Sequence, residues 1–151
     1  MIHPDYITGY VDGEGSFLVS FSPRDKLTSG LDVRPSFSVS QRKDRCEVLS
    51  LMKSYFGCGS IRFNRYDQTN RFEVRSLGHL NRVVIPHFRR YPVLSSKKKD
   101  FELFVQVCEK MANKEHLNPL GLREIINIAL RMNPNGSRRY PLKYLLSKLK
   151  I

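Results

Sequence analysis

The sequence has no tryptophan and only three cysteines, Cys46, Cys58 and Cys108, none of them in a C-x-x-C spacing. An odd, scattered set excludes a disulfide framework and a cysteine-based zinc knuckle, and fits reduced thiols in an intracellular, reducing compartment, cytoplasm and organelle alike. No apolar run approaches the roughly 18 residues that span a bilayer, so no membrane partner is expected. No charged leader followed by an apolar core opens the chain, and secretion is not expected. Acidic residues are also few: 14 Asp and Glu against 26 Lys and Arg leave a formal charge of +12. The excess runs along the whole chain rather than in one tail, so the expected partner is a polyanion. The histidines (His3, His79, His87, His116) lack metal or nucleophile spacing and read as structural or surface residues. What is present is 40% hydrophobic residues with nine Phe and seven Tyr in 151 residues, enough for one domain over residues 1–151.

Punctuation and periodicity divide that domain. Residues 4–13 open on a proline and close at glycines, as a short helix does. Residues 16–24 and 31–41 alternate apolar and polar side chains at period two, predicting two strands around a DKLTSG loop. Pro35 cannot donate to a ladder, which predicts an edge position for the second strand. Asp44 is expected to cap a helix running to Phe56, with Glu47 in the capping box and Gly57 as the stop. A second hairpin follows, with strands 60–66 and 71–76 around DQTN, hiding Ile61, Phe63, Phe72 and Val74. Residues 78–91 read as a helix interrupted at Pro86, 96–114 and 120–132 as further helices, and the end of the chain as a basic terminal helix. The order is α-ββ-α-ββ-α with helical additions at the C-terminus: an α+β fold with a four-stranded antiparallel sheet.

The exposed strand positions are Leu18, Ser20, Ser22, Arg24, Asp32, Arg34, Ser36, Ser38, Ser40, Arg62, Asn64, Arg71, Glu73 and Arg75. They can donate to and accept from base edges, arginine pairing bidentately with guanine and asparagine with adenine. A ten-residue strand spans roughly 33 Å, close to one turn of B-DNA. Asn135, Ser137, Arg138 and Arg139, in the loop NPNGSRR, are expected on backbone phosphate.

The segment ITGYVDGEG, residues 7–15, carries the chemistry. Gly9 and Gly13 stand four apart on one helical face, where missing side chains allow a second helix into backbone contact. If that helix comes from a second copy, a twofold axis brings each Glu14 beside the other. Adjacent carboxylates repel unless a divalent cation lies with them, and Mg²⁺ takes such oxygen ligands and activates water against phosphate.

The same segment resembles the signature of the LAGLIDADG homing endonucleases at all nine positions by residue class, and the element order agrees over most of the chain. The resemblance implies a homing-endonuclease-like αββαββα fold with a DNA-binding saddle. It also implies a Mg²⁺-dependent, site-specific double-strand DNA endonuclease, with Mn²⁺ or Ca²⁺ as substitutes, that leaves short 3′ overhangs at a long, near-palindromic site. Glu14 and the Gly13 carbonyl would hold metal, with Glu14 standing where aspartate is the commoner residue. Gln41 would position water or metal. Arg45 and Lys97 would lie near the scissile phosphate, with Lys99 an alternative to Lys97. Single-motif members work as homodimers, and here Tyr6, Gly9, Tyr10, Asp12 and Gly13 would form the interface, Asp12 lying at the helix end in a structural or interface role. Two other classes fit the same fold: an RNA-binding maturase acting on intron RNA, and a DNA-binding regulator without catalysis. Glu14, Gln41 and Lys97 together favour the nuclease.

Overall fold

A computed structural model describes residues 2–134 and 138–150. In chain order the elements are α1 (Pro4–Glu14), β1 (Gly15–Pro23), β2 (Leu31–Arg42), α2 (Glu47–Phe56), β3 (Ser60–Asn64), β4 (Thr69–Val74), α3 (Leu77–His79), a π-helical turn (Leu80–Val84), α4 (Ile85–Arg90), α5 (Lys97–Ala112), α6 (Pro119–Ala129) and α7 (Leu142–Ser147). The strands form one sheet in the order β1-β2-β4-β3, with β4 antiparallel to both β2 and β3. The expected α+β architecture with a four-stranded antiparallel sheet is the one observed.

The chain divides into two compact units, each discontinuous in sequence: Met1–Phe17 with Ser36–Lys98, and Leu18–Pro35 with Lys99–Ile151. The first holds an aromatic core. Phe37 stacks on Phe17 at 5.4 Å and meets Phe56, Phe72 and Phe88 edge-on at 5.4–6.2 Å, while Ile7, Val11, Leu49 and Met52 are fully buried. Offset and edge-on rings satisfy the aromatic quadrupoles while burying large areas. The second unit has an aliphatic core in which Leu31, Phe104, Val107, Cys108, Leu122, Ile125, Ile126, Ala129 and Leu145 are almost wholly buried.

Local structure departs from the sequence expectations at five places. β2 is an interior strand, not an edge: its ladder with β4 begins at Phe37 and runs to Arg42, so Pro35 falls outside that pairing and no β4 bond is lost. Helix α2 starts at Glu47, not at Asp44. Residues Lys43–Arg45 form a 3₁₀ turn, the Asp44 carboxylate is engaged by Arg42 at 3.5 Å, and no side chain caps the helix. β3 ends at Asn64 because the Asn64 side chain accepts the Tyr66 N–H at 2.9 Å and starts the turn early. Phe63, expected inside, is 49% exposed near that open end. Finally, Ser36 and Ser38, read as exposed face positions, are 8% and 2% exposed.

Other signals act as expected. Gly57 closes α2 in the left-handed region (φ 69°), its N–H donating to Lys53 O at 2.9 Å. The helical path over 77–90 continues past Pro86 because a π-helical turn precedes it and Pro86 falls in the first turn of α4, where no intrahelical donor is needed.

Candidate active site and nucleic-acid face

The site is built at the C-terminal end of α1. One side of this helix, Ile7, Thr8 and Val11, is buried; the other, Tyr6, Gly9, Gly13 and Glu14, is exposed. A Cβ added at Gly9 or Gly13 would meet nothing within 4 Å, so the glycines serve no packing inside this chain. Gly15 does: a Cβ there would lie 2.6 Å from Val11 Cγ1 and 2.9 Å from its carbonyl oxygen, and only glycine permits the tight exit from helix to strand.

Two side chains lock that exit. The Asp12 carboxylate accepts hydrogen bonds from the backbone N–H groups of Leu94 (2.9 Å) and Ser95 (3.2 Å) and from the Ser95 hydroxyl. Partial burial alone would raise the Asp12 pKa; the Ser95 and Leu94 donors and the Lys97 charge outweigh it and set the carboxyl below its ordinary value. Lys97 Nζ donates to the carbonyls of Val11 at 2.8 Å and Asp12 at 3.1 Å. An ammonium on the last carbonyls of a helix satisfies acceptors that have no intrahelical partner and opposes the negative end of the helix dipole. Asp12, given by resemblance a structural or interface role at the helix end, is engaged within its own chain, and Lys97, expected near phosphate, holds the helix end that carries Glu14. Leu94 and Ser95 have no chemical signature in the sequence, and their part in the clasp becomes visible only in three dimensions.

A buried relay supports the same helix. Thr8 Oγ donates its single proton to Tyr91 O at 2.7 Å, so its 3.0 Å contact with His87 Nε2 requires that nitrogen to carry a proton; His87 Nδ1 then accepts from the Tyr55 hydroxyl at 2.8 Å. Burial lowers the His87 pKa from 6.5 to about 4, opposed weakly by the Asp5 charge. Because the folded value is the lower one, the unfolded chain takes up a proton first. This contribution to stability is full above pH 6.5 and is lost as pH falls toward 4, at about 1.4 kcal/mol per pH unit. Urea unfolding is therefore expected to give a lower midpoint at pH 5 than at pH 7. His87→Gln should flatten the dependence, leaving the smaller share of His116, whose pKa burial also lowers. An equally steep profile in the variant would contradict this assignment.

The remaining sequence candidates of the first unit divide by row. Gln41 is half-buried and pairs with Asn70, which pairs with Phe63. Arg45 is exposed and lines a shallow cleft with Tyr6, Tyr10, Glu47 and Leu51. Burial first, then the charge of nearby Glu14, raises the Tyr10 pKa, while Arg45 lowers it. On the polar face of the sheet, Ser40, Arg71 and Arg62 lie directly across from one another, flanked by the rows Ser38–Glu73–Ser60 and Arg42–Thr69–Asn64. Arg75 lies 4.0 Å from Glu73.

In the second unit, Ser20 donates to Arg34 O at 3.3 Å, and Asp32 bridges Arg34 at 2.8 Å and Arg24 at 3.7 Å. A cavity of about 320 Å³ is lined by Ser20, Ser22, Arg34, Arg139 and Tyr140. Arg139 stands over the Tyr140 ring at 5.3 Å. Arg138, expected on phosphate, donates instead to the carbonyls of Val19 (3.2 Å), Met132 (3.4 Å) and Ala129, and burial lowers its pKa. Asn135 and Ser137 lie outside the described residues.

Among the described residues no cluster of three or more His, Cys, Asp or Glu is able to hold a metal. One copy offers the exposed Glu14 carboxylate and helix-end carbonyls, an all-oxygen set that suits a hard divalent cation but leaves its shell incomplete. The donor set fits such an ion if a second copy, water or phosphate supplies the rest. Among the described residues no helix is long and apolar enough to cross a membrane.

The family model described as LAGLIDADG endonuclease matches residues 7–108. A protein of Neurospora crassa named probable intron-encoded endonuclease 2 is 30% identical over 133 residues, covering 87% of this chain and 29% of its own length. The chain spans 25–29% of the length of three fungal relatives. The crystal structure of a homing endonuclease, I-TnaI, superposes with a TM-score of 0.89 at 33% identity, covering 97% of both chains. I-SmaMI bound to uncleaved DNA in the presence of calcium ions superposes with a TM-score of 0.86 at 32% identity, over 91% of this chain and 47% of that one.

Proposed function

Because the chain belongs to the LAGLIDADG endonuclease family, we propose that it is a site-specific DNA endonuclease that cuts both strands of a long, near-palindromic duplex as a homodimer and leaves short 3′ overhangs. The observation that carries this reading is the open glycine face of α1, empty around Gly9 and Gly13 and adjoining exposed Glu14. A second α1 docked there fills a surface that the chain's own core leaves uncovered, and it brings two Glu14 carboxylates to one place. I-SmaMI, about half of whose length this chain matches, is bound to an uncleaved DNA target in the presence of calcium ions, which supports DNA as substrate and a divalent cation as cofactor.

In this reading Glu14 and the Gly13 carbonyl would hold Mg²⁺, which would supply Lewis-acid activation of water and phosphate. The chain's own residues do the positioning. Asp12, with Leu94 and Ser95, fixes the direction in which α1 ends; Lys97 neutralises the carbonyls just before Glu14; Gln41 and Arg45 orient water and phosphate. Exposed cations of the strands and Arg139 meet the DNA backbone. The chain acts inside the cell, where its thiols stay reduced.

The test is exposure of a randomised duplex library to the full chain with Mg²⁺, followed by sequencing of the cut ends. The expected result is one twofold-symmetric family of sites with short 3′ overhangs. Binding of duplexes without any cut would favour the regulator reading, and selective binding of intron RNA with no duplex cut would favour a maturase.

A further inference from the structure

We infer that Arg62 and Arg71 together read two successive G·C base pairs in each half-site, and that buried Ser38 is the positioning residue that aims Arg71. The inference rests on the duplex-DNA reading above and specifies what that face recognises. Arg62 and Arg71 are directly opposed on β3 and β4, about 4.8 Å apart by strand spacing. Among the described residues neither makes an ion pair. Like charges in register destabilise a sheet, so the pair is a charge that no acid of the folded chain offsets, and acceptors on a bound partner would relieve it.

Phosphate would relieve it too, but the placement favours bases. Arg71 lies on β4, an interior strand, and Arg62 faces it directly from the edge strand β3, whereas phosphates run along the walls of a groove, away from an interior strand. The Ser38 hydroxyl, 2% exposed, accepts from Arg71 Nη2 at 3.2 Å. That bond holds one arm of the guanidinium close to the sheet and lowers the entropy lost when the rest of the fork engages two acceptors. Guanine offers the matching pair, O6 and N7, in the major groove. Two such forks side by side match guanines in adjacent base pairs, whether on one strand or on both. Rows along the strands advance about 6.7 Å, or two base steps. The neighbouring rows carry Ser38, Glu73 and Ser60 on one side and Arg42, Thr69 and Asn64 on the other; Arg42 is engaged by Asp44 at 3.5 Å, which leaves Arg62 and Arg71 as the arginines of these three rows without an acidic partner.

Selection of bound duplexes from a randomised library, with Ca²⁺ in place of Mg²⁺ so that nothing is cut, tests this. Each half-site is expected to contain a G·C doublet. Arg71→Ala and Arg62→Ala should each lower the preference there about tenfold and leave preferences elsewhere unchanged. Arg71→Lys should not restore it, since one ammonium cannot fork. Ser38→Ala should lower it about threefold at the same place, with an unchanged melting midpoint. Enriched sites without a doublet, or a doublet that survives Arg71→Ala, would overturn the inference while leaving the duplex reading intact; uniform weakening at all positions would reassign the pair to phosphate and overturn it equally. Failure to enrich any duplex would overturn both.

Discussion

Replacing Glu14 with glutamine is expected to reduce cleavage of the selected site by about a hundred- to a thousandfold, the scale on which loss of one charge-stabilising group acts. Affinity for the same site should be unchanged or slightly higher, since each copy loses a negative charge facing a polyanion and no groove contact. The physical case is the poverty of alternatives. Asp12 is the only other carboxylate in the motif, and its oxygens already accept from Leu94 and Ser95. Gel-shift titration with Ca²⁺ and timed cleavage with Mg²⁺ separate the two effects. A variant that cuts at the normal rate would remove Glu14 from the chemistry.

Gly9→Leu is expected to act in opposite directions on the chain and on its assembly. Nothing lies within 4 Å of a Cβ at Gly9, so leucine fits the isolated chain, and losing a mid-helix glycine should stabilise α1 by roughly 0.8 kcal/mol. Between two copies the same side chain would force apart helices that need backbone contact, at a cost of typically 1–3 kcal/mol per overpacked site, incurred twice across a twofold axis. Sedimentation velocity should show a monomer where the unaltered chain is a dimer, thermal unfolding of that monomer should not be lowered, and cleavage should fall with the dimer. A dimer of unchanged strength would mean that α1 docks elsewhere.

Much of this was legible in the sequence because local signals carried it. Period-two alternation located Phe17, Val19 and Phe21 inside β1, and Gly57 marked the end of α2, each through geometry that neighbours in sequence determine. The misread places depend on partners far along the chain. Pro35 reads as an edge residue until the register shows the β4 ladder beginning at Phe37. Ser36 and Ser38 alternate correctly yet are buried, because alternation fixes which face a residue occupies and not what covers it. At the site, exposed Glu14 and the bare glycine face follow from the motif itself. The Asp12 clasp to Leu94 and Ser95 joins residues more than eighty positions apart and has no local signature. Arg138 belongs to the same class: a basic loop residue suggests phosphate, and three carbonyls of its own unit receive it instead.

The most direct test of the account, two copies each bringing one Glu14 to one duplex, is a mixed dimer of the unaltered chain and Glu14→Gln, carrying different affinity tags and purified through both. On supercoiled plasmid bearing the selected site, the account predicts nicked circles, one strand cut and the other intact. Linear plasmid formed at the rate of the unaltered dimer would contradict it, since a single Glu14 would then suffice for both strands.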